Sequence, residues 1–153
     1  GLIEAEEKRE KKKNKKQRFL ERFTEFREQE QKYFDAAEEC YNKAINLEQM
    51  EPEFLFHRGR LMDLQDKHEL ALDDFQRAAR LGGKREVEYL FYAGKTYAEM
   101  GDQRKSIKAY RKAVLCDPSH VQATIHLGNA LHQTGEFEQA VKMMTSALAA
   151  DSE

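Results

Sequence analysis

Five histidines (His57, His68, His120, His126, His132), two cysteines (Cys40, Cys116) and a Gly82-Gly83-Lys84 tripeptide are the residues of this chain whose types could do chemistry. Histidine and cysteine together suggest zinc, which needs ligands at short, fixed spacings. His126 and His132 lie six apart, a poor fit to the i, i+4 spacing that puts two imidazoles on one helical face. Neither cysteine has a second Cys or His at ligand spacing, so both read as packed thiols inside helical patterns. The Gly-Gly-Lys tripeptide lacks the rest of a phosphate-binding loop, and no strand pattern precedes it. Carboxylates are abundant, but pairs such as Glu38 and Glu39 flank an apolar stripe and read as helix surface. No catalytic set holds together, and no enzymatic activity, cofactor or metal is expected.

The chemistry left is that of binding, and the elements that would present it are helices. The chain has 153 residues, which suits one compact domain. Hydrophobic residues make up 40% of it, enough for a core. Only 8 Gly and 2 Pro are present, too few for the turns of many short strands. The net charge of −2 supplies no strong field for nucleic acid. No apolar run approaches the ~20 residues of a membrane span. Without a secretory leader or a disulfide framework, an intracellular, cytoplasmic setting is expected. The chain opens on Gly1 and stops just past a helical pattern, so we read it as a fragment of a longer protein.

An internal repeat organises the pattern. Gly59, Gly94 and Gly128 anchor the related segments LFHRGRLMDL, LFYAGKTYAEMG and TIHLGNALHQTG. Twelve residues after each glycine comes a small residue, Ala71, Ser106 or Ala140. Four further on stands a large one, Phe75, Tyr110 or Met144, and three beyond that an alanine, Ala78, Ala113 or Ala147. Apolar residues at i, i+3, i+4 and i+7 in each half predict amphipathic helices. The short polar turns at Gln65-Asp66-Lys67, Gly101-Asp102 and Gly135-Glu136 make each pair antiparallel. A mid-helix glycine costs ~1 kcal/mol against alanine, so three in one register imply close helix approach, with the small residues pressed opposite.

This pattern resembles the tetratricopeptide repeat family. The resemblance implies an all-α, right-handed superhelical stack of antiparallel helix pairs, with repeats at 52–86, 87–120 and 121–153. Pro118 fits the family's closing proline, whereas Gly83 and Ser152 stand in its place elsewhere. One additional residue near Gly82-Gly83-Lys84 predicts a longer turn there. Residues 18–51 read as a degenerate first repeat. Its second half, from Tyr33, matches through Ala37, Tyr41 and Ala44; its elongated first helix packs through Phe19, Phe23 and Phe26.

Residues 1–17 form a charged, basic helical extension. Lys8, Arg9, Lys11, Lys12, Lys13, Lys15, Lys16 and Arg18 carry eight positive charges against the single acid Glu10. This stretch reads as a solvated helix, as a docking element for an acidic surface, or as a nuclear-import address. No aromatic interleaves Lys8–Lys16, which argues against nucleic acid, and no apolar face there suits a membrane.

The resemblance also implies that first helices line a concave groove. Their rows are Phe56, Phe91, Ile125; Arg60, Lys95, Asn129; His57, Tyr92, His126; and Asp63, Ala98, His132. An apolar row beside Arg60 and Lys95 suits a protein or peptide partner with bulky apolar residues and nearby carboxylates. The same row can instead simply pack between helices. Family members that clamp chaperone C-terminal tails use a Lys, Asn, Asn, Lys, Arg set. The matching columns here hold Arg22, Phe26, His57, Glu88 and Tyr92, or, one repeat later, Phe56, Arg60, Tyr92, Gln122 and His126, which argues against such tails. The last helix leaves Val141, Met144 and Leu148 without a polar cap, a face open to further repeats or to a homo-oligomer. The favoured function is a scaffold or adaptor. The rivals are docking through the basic helix and self-assembly. Cytoskeletal and ciliary complexes are among the assemblies such repeats serve.

Overall fold

Helix formers without an interrupting turn residue fill the first third of the chain, and the computed structural model accordingly opens on one helix, α1, from Leu2 to Leu47. The structure describes residues 1–151, with the side chains of Ala150 and Asp151 excepted; Ser152 and Glu153 lie outside it. All secondary structure among the described residues is helical. The remaining helices are α2 (Pro52–Leu64), α3 (His68–Leu81), α4 (Glu86–Glu99), α5 (Gln103–Cys116), α6 (Val121–Gln133) and α7 (Phe137–Asp151). The chain divides into two compact units, Gly1–Cys40 and Tyr41–Glu153.

The first unit corrects two expectations. No turn separates the halves of the degenerate repeat at 18–51: the Gln29-Glu30-Gln31-Lys32 run contains neither Gly nor Pro, and α1 continues through it. The phenylalanines expected to pack, Phe19, Phe23 and Phe26, are exposed.

In the second unit, α2/α3, α4/α5 and α6/α7 form the three expected pairs, and each helix packs chiefly on the next in sequence. The turn inside each pair needs one residue in the left-handed region. Gly101 (φ 81°) and Gly135 (φ 83°) supply it without cost, and Asp66 adopts it at φ 58°. Side chains finish several helix starts: Asp102 accepts from the Lys105 amide at 3.1 Å and His120 Nδ1 from the Ala123 amide at 3.1 Å. The turn at 82–85 is no longer than that at 117–120; the additional residue lengthens the start of α4 instead. Gly83 has φ 104°, a conformation closed to the proline usual there.

The repeated glycines do bring helices together: the large residues stand nearest in the space beside them, and the small residues press in as well, the Ala71 carbonyl 3.2 Å and the Ala140 carbonyl 3.5 Å from a Cβ built on Gly59 and Gly128. A Cβ on Gly59 would stand 2.7 Å from the Phe75 ring, and one on Gly94 2.6 Å from the Tyr110 ring. At Gly128 the nearest atom is Met144 Cγ at 3.1 Å. Ser106 adds a buried hydrogen bond, its Oγ donating to the Gly94 carbonyl at 2.9 Å. Gly94→Ala should therefore destabilise by about 1–3 kcal/mol through overpacking, despite alanine's better helix propensity. Gly128→Ala should be near neutral, because the unbranched Met144 can move aside. Urea unfolding of both variants checks this contrast.

Candidate interaction face

Phe56 lies at the centre of the first aromatic cluster and is 0% exposed. Its ring centroid stands 5.8 Å from Phe75, 5.1 Å from Tyr89 and 5.2 Å from Tyr92. Phe91, at 8% exposure, repeats this position one repeat on, packing against Tyr110, His120 and His126. Ile125 is half-buried. The expectation that these side chains stand open in a groove is corrected for Phe56 and Phe91. Adjacent first helices approach closely enough for each ring to be covered by aromatics of its neighbours.

What remains open is the polar row beside them. Arg60 is exposed, with its guanidinium 5.1 Å from the Tyr92 centroid and 5.9 Å from that of Phe56. Lys95 places its Nζ 5.2 Å from Tyr92 and 5.9 Å from Phe91. Both cations rest on ring faces that attract positive charge. Arg60, Tyr92 and Lys95, with Asp63, Leu64 and Glu99, line a shallow depression of about 210 Å³. Asn129 and His132 are exposed further along, where His132 stacks edge-on against Phe137 at 5.3 Å. His57 is half-buried, stacked on Tyr41 with its Nε2 3.5 Å from Glu53.

Several polar clusters escaped the sequence reading. Arg58 donates to both carboxylate oxygens of Asp74, at 2.8 and 2.7 Å, and to Asn42 at 2.8 Å. Arg85 bonds Glu53 at 2.6 Å and Glu88 at 2.5 Å, which holds Glu88 below the usual carboxylate range. Burial pushes the Tyr89 hydroxyl up to about 12, with the Glu53 carboxylate accepting from it at 3.1 Å as a further cause. In a chain that is 35% charged, such partners carry no signal before the fold joins them. One missed feature was legible: Lys105, Lys108 and Lys112 share a face of α5, and with Gln76, Leu90 and Ala93 they edge a groove of about 280 Å³ between α3 and α5.

Asp63, expected in an outward row, is tied inward. It accepts from Thr96 Oγ1 at 2.6 Å and meets His68 Nδ1 at 2.9 Å, with Glu99 3.8 Å from the same nitrogen. The Asp63 hydrogen bond raises the His68 pKa above its ordinary 6.5. A raised histidine contributes stability that is complete below pH 6.5 and is lost as pH rises through the folded-state value. The melting temperature of the protein should fall across that interval, and His68→Gln should flatten the slope.

At the two ends, Lys8, Arg9, Lys11, Lys12, Lys13, Lys15, Lys16 and Arg18 are all exposed. Val141 and Leu148 are exposed, but Met144 is half-buried against Gly128 and drops out of the open face. Val141 is 65% exposed where Ile107, one repeat earlier in the same register, is 9% exposed beneath its successor. No helix among the described residues is long and apolar enough to cross a membrane.

The tetratricopeptide repeat family matches residues 20–86 and 93–153. The chain belongs to this family. Among curated proteins, a tetratricopeptide repeat relative is the small glutamine-rich tetratricopeptide repeat-containing protein 2 of Mycosarcoma maydis, 29% identical over 58% of this chain and 25% of that protein. Another is the BBSome complex member BBS4 of Bos taurus, 28% identical over 76% of this chain and 22% of its own length. The chain thus spans about a quarter of the length of these relatives. Among solved structures, a crystal structure of MamA superposes with a TM-score of 0.72 at 27% identity, covering 78% of this chain and 69% of that one. Tetratricopeptide repeats are interaction modules, and no catalytic family is indicated by these likenesses.

Proposed function

We propose that this tetratricopeptide array is a non-enzymatic scaffold or adaptor whose first-helix face takes an acidic peptide segment of a protein partner. The observation that carries the reading is the pair of cations, Arg60 and Lys95, both held within about 5 Å of the half-exposed Tyr92 ring. A carboxylate arriving there meets two positive charges already ordered by the ring, so little side-chain entropy is lost on binding. Phe56 and Phe91 act as the floor that fixes this geometry and do not themselves touch the ligand. Asn129 and His132 extend the row with further hydrogen-bonding groups. The membership of BBS4 in a multiprotein complex, which its name states, accords with a role in assembly.

The test is affinity capture with the Arg60→Glu/Lys95→Glu variant beside the parent chain, both checked by circular dichroism. Proteins bound only by the parent identify the ligand, and their binding should weaken about tenfold or more on charge reversal and also weaken with salt. Binding that survives this reversal and falls with Lys108→Glu/Lys112→Glu would move the site to the groove between α3 and α5. Binding lost only when Lys11–Lys16 are neutralised would make the basic stretch the docking element. A second reading concerns the end face. Val141 and Leu148 are exposed, whereas their counterparts in the preceding repeat are buried at Ile107 and half-buried at Val114, and this favours a further repeat-type helix seated there, whether from more of the same protein or from a second copy.

A further inference from the structure

Helix α1 carries a long, exposed apolar stripe, on which the Arg27 guanidinium lies 5.6 Å from the Phe23 ring centroid. Phe19, Phe23, Phe26 and Tyr33 are between 50% and 68% exposed, and Phe19 and Phe23 stack on each other at 6.5 Å between ring centroids. With Glu30 between Phe26 and Tyr33, the positions alternate in steps of four and three residues, the spacing of a coiled-coil seam. Continued at the same steps, the seam takes in Lys16, Lys12 and Arg9 on one side and Glu30 within it. The seam is therefore polarised, basic at its beginning and aromatic with one acid towards its end.

We propose that α1 pairs with α1 of a second copy of this chain as an antiparallel coiled coil. The argument is charge complementarity along the seam. One antiparallel register, centred on Glu21, sets every seam residue against a suitable partner. Phe19 faces Phe23 of the other copy, Lys16 faces the Phe26 ring, Lys12 faces Glu30, and Arg9 faces the Tyr33 ring. Cation-on-ring and cation-on-carboxylate layers replace what would be buried, unpaired charge. Parallel pairing fails on the same residues, because Arg9, Lys12, Lys16 and Glu30 would each meet its own copy in the seam. A foreign acidic helix would match the basic end but leave the aromatic end, with its own acid, unsatisfied. Glu30 gives up little in switching partners, since its contact with Arg27 is a surface pair at 3.8 Å. The overlap from residue 9 to 33 is about 25 residues, or about 37 Å at ~1.5 Å rise, enough for three heptads.

The mass of the full chain should double across a concentration series in sedimentation equilibrium. Phe23→Glu should raise the dissociation constant of that dimer about tenfold or more. Lys12→Glu and Glu30→Lys should each do the same, since each sets like charges face to face. Lys12→Glu/Glu30→Lys should restore pairing to near the parent value, because antiparallel copies then meet with opposite charges again. Lys12 and Phe23 are exposed and Glu30 is half-buried, all of them outside the repeats, so the melting curve of the repeats serves as an unchanged folding control. A chain that stays monomeric at every concentration overturns the proposal. So does a dimer that survives Phe23→Glu but is lost on Val141→Glu, which places it at the end face. A dimer that the double exchange does not rescue rejects the antiparallel register.

Discussion

Phe56→Ala should cost about 3–5 kcal/mol of stability, among the largest losses from a single truncation in this chain. The ring is fully buried and is surrounded by Phe75, Tyr89 and Tyr92, with the Arg85 guanidinium 5.0 Å from its centroid on a remaining side. These neighbours come from α3, from α4 and from the turn before it, so the cavity would open where two repeats meet. Rigid aromatic walls collapse poorly into such a space, which puts the cost towards the upper part of the range. Folded domains have only about 5–15 kcal/mol in hand, so the variant should lose much of its margin. The equivalent Ile125→Ala should cost less, about 2 kcal/mol, because Ile125 is only half-buried and its removal leaves a smaller void. Denaturant titrations of the two variants would measure the ordering directly; equal losses would contradict the burial of Phe56. Failure of Phe56→Ala to bind a partner would report unfolding and not a lost contact.

Asp74→Ala should be destabilising by about 3 kcal/mol, although it removes only a small polar side chain. Asp74 is 3% exposed and accepts two hydrogen bonds from Arg58, whose side chain is itself largely covered. Removing the carboxylate takes two hydrogen bonds from the guanidinium and leaves its bond to Asn42 Oδ1 at 2.8 Å to compensate in part. Replacing both partners by apolar residues of similar volume, as in Arg58→Met/Asp74→Leu, should recover most of the loss, because no charge is then left uncompensated. A double-mutant cycle in urea would give the coupling between the two residues. A cycle with no coupling would show that the pair adds nothing beyond its packing.

The repeats were legible because their signal is local and periodic. Gly59, Gly94 and Gly128 stand in register with Phe75, Tyr110 and Met144, and the same contact recurs in each pair. The turn residues were legible for the same reason, since backbone with positive φ narrows the choice to Gly, Asn or Asp. The halves of residues 18–51 were misread because resemblance to a repeat suggested a turn where the chain contains no residue that breaks a helix. Burial of the Phe56 and Phe91 row was not legible either. Periodicity tells which face a residue occupies, while cover by the next helix depends on how far the helices are staggered. Bonds such as Thr96 to Asp63, separated by 33 residues, appear only once the fold has brought them together.

Among the described residues, each helix from α2 to α7 leans chiefly on its immediate neighbours in sequence. Loss of α7 from its end sacrifices one interface, whereas opening α4 sacrifices two. The array should therefore shorten from its open end before it melts, like a zipper and not like a globule. A partner that grips Arg60 and Lys95 across α2 and α4 would stitch the first two helix pairs together, and its binding would be felt as resistance to unzipping in the first part of the array.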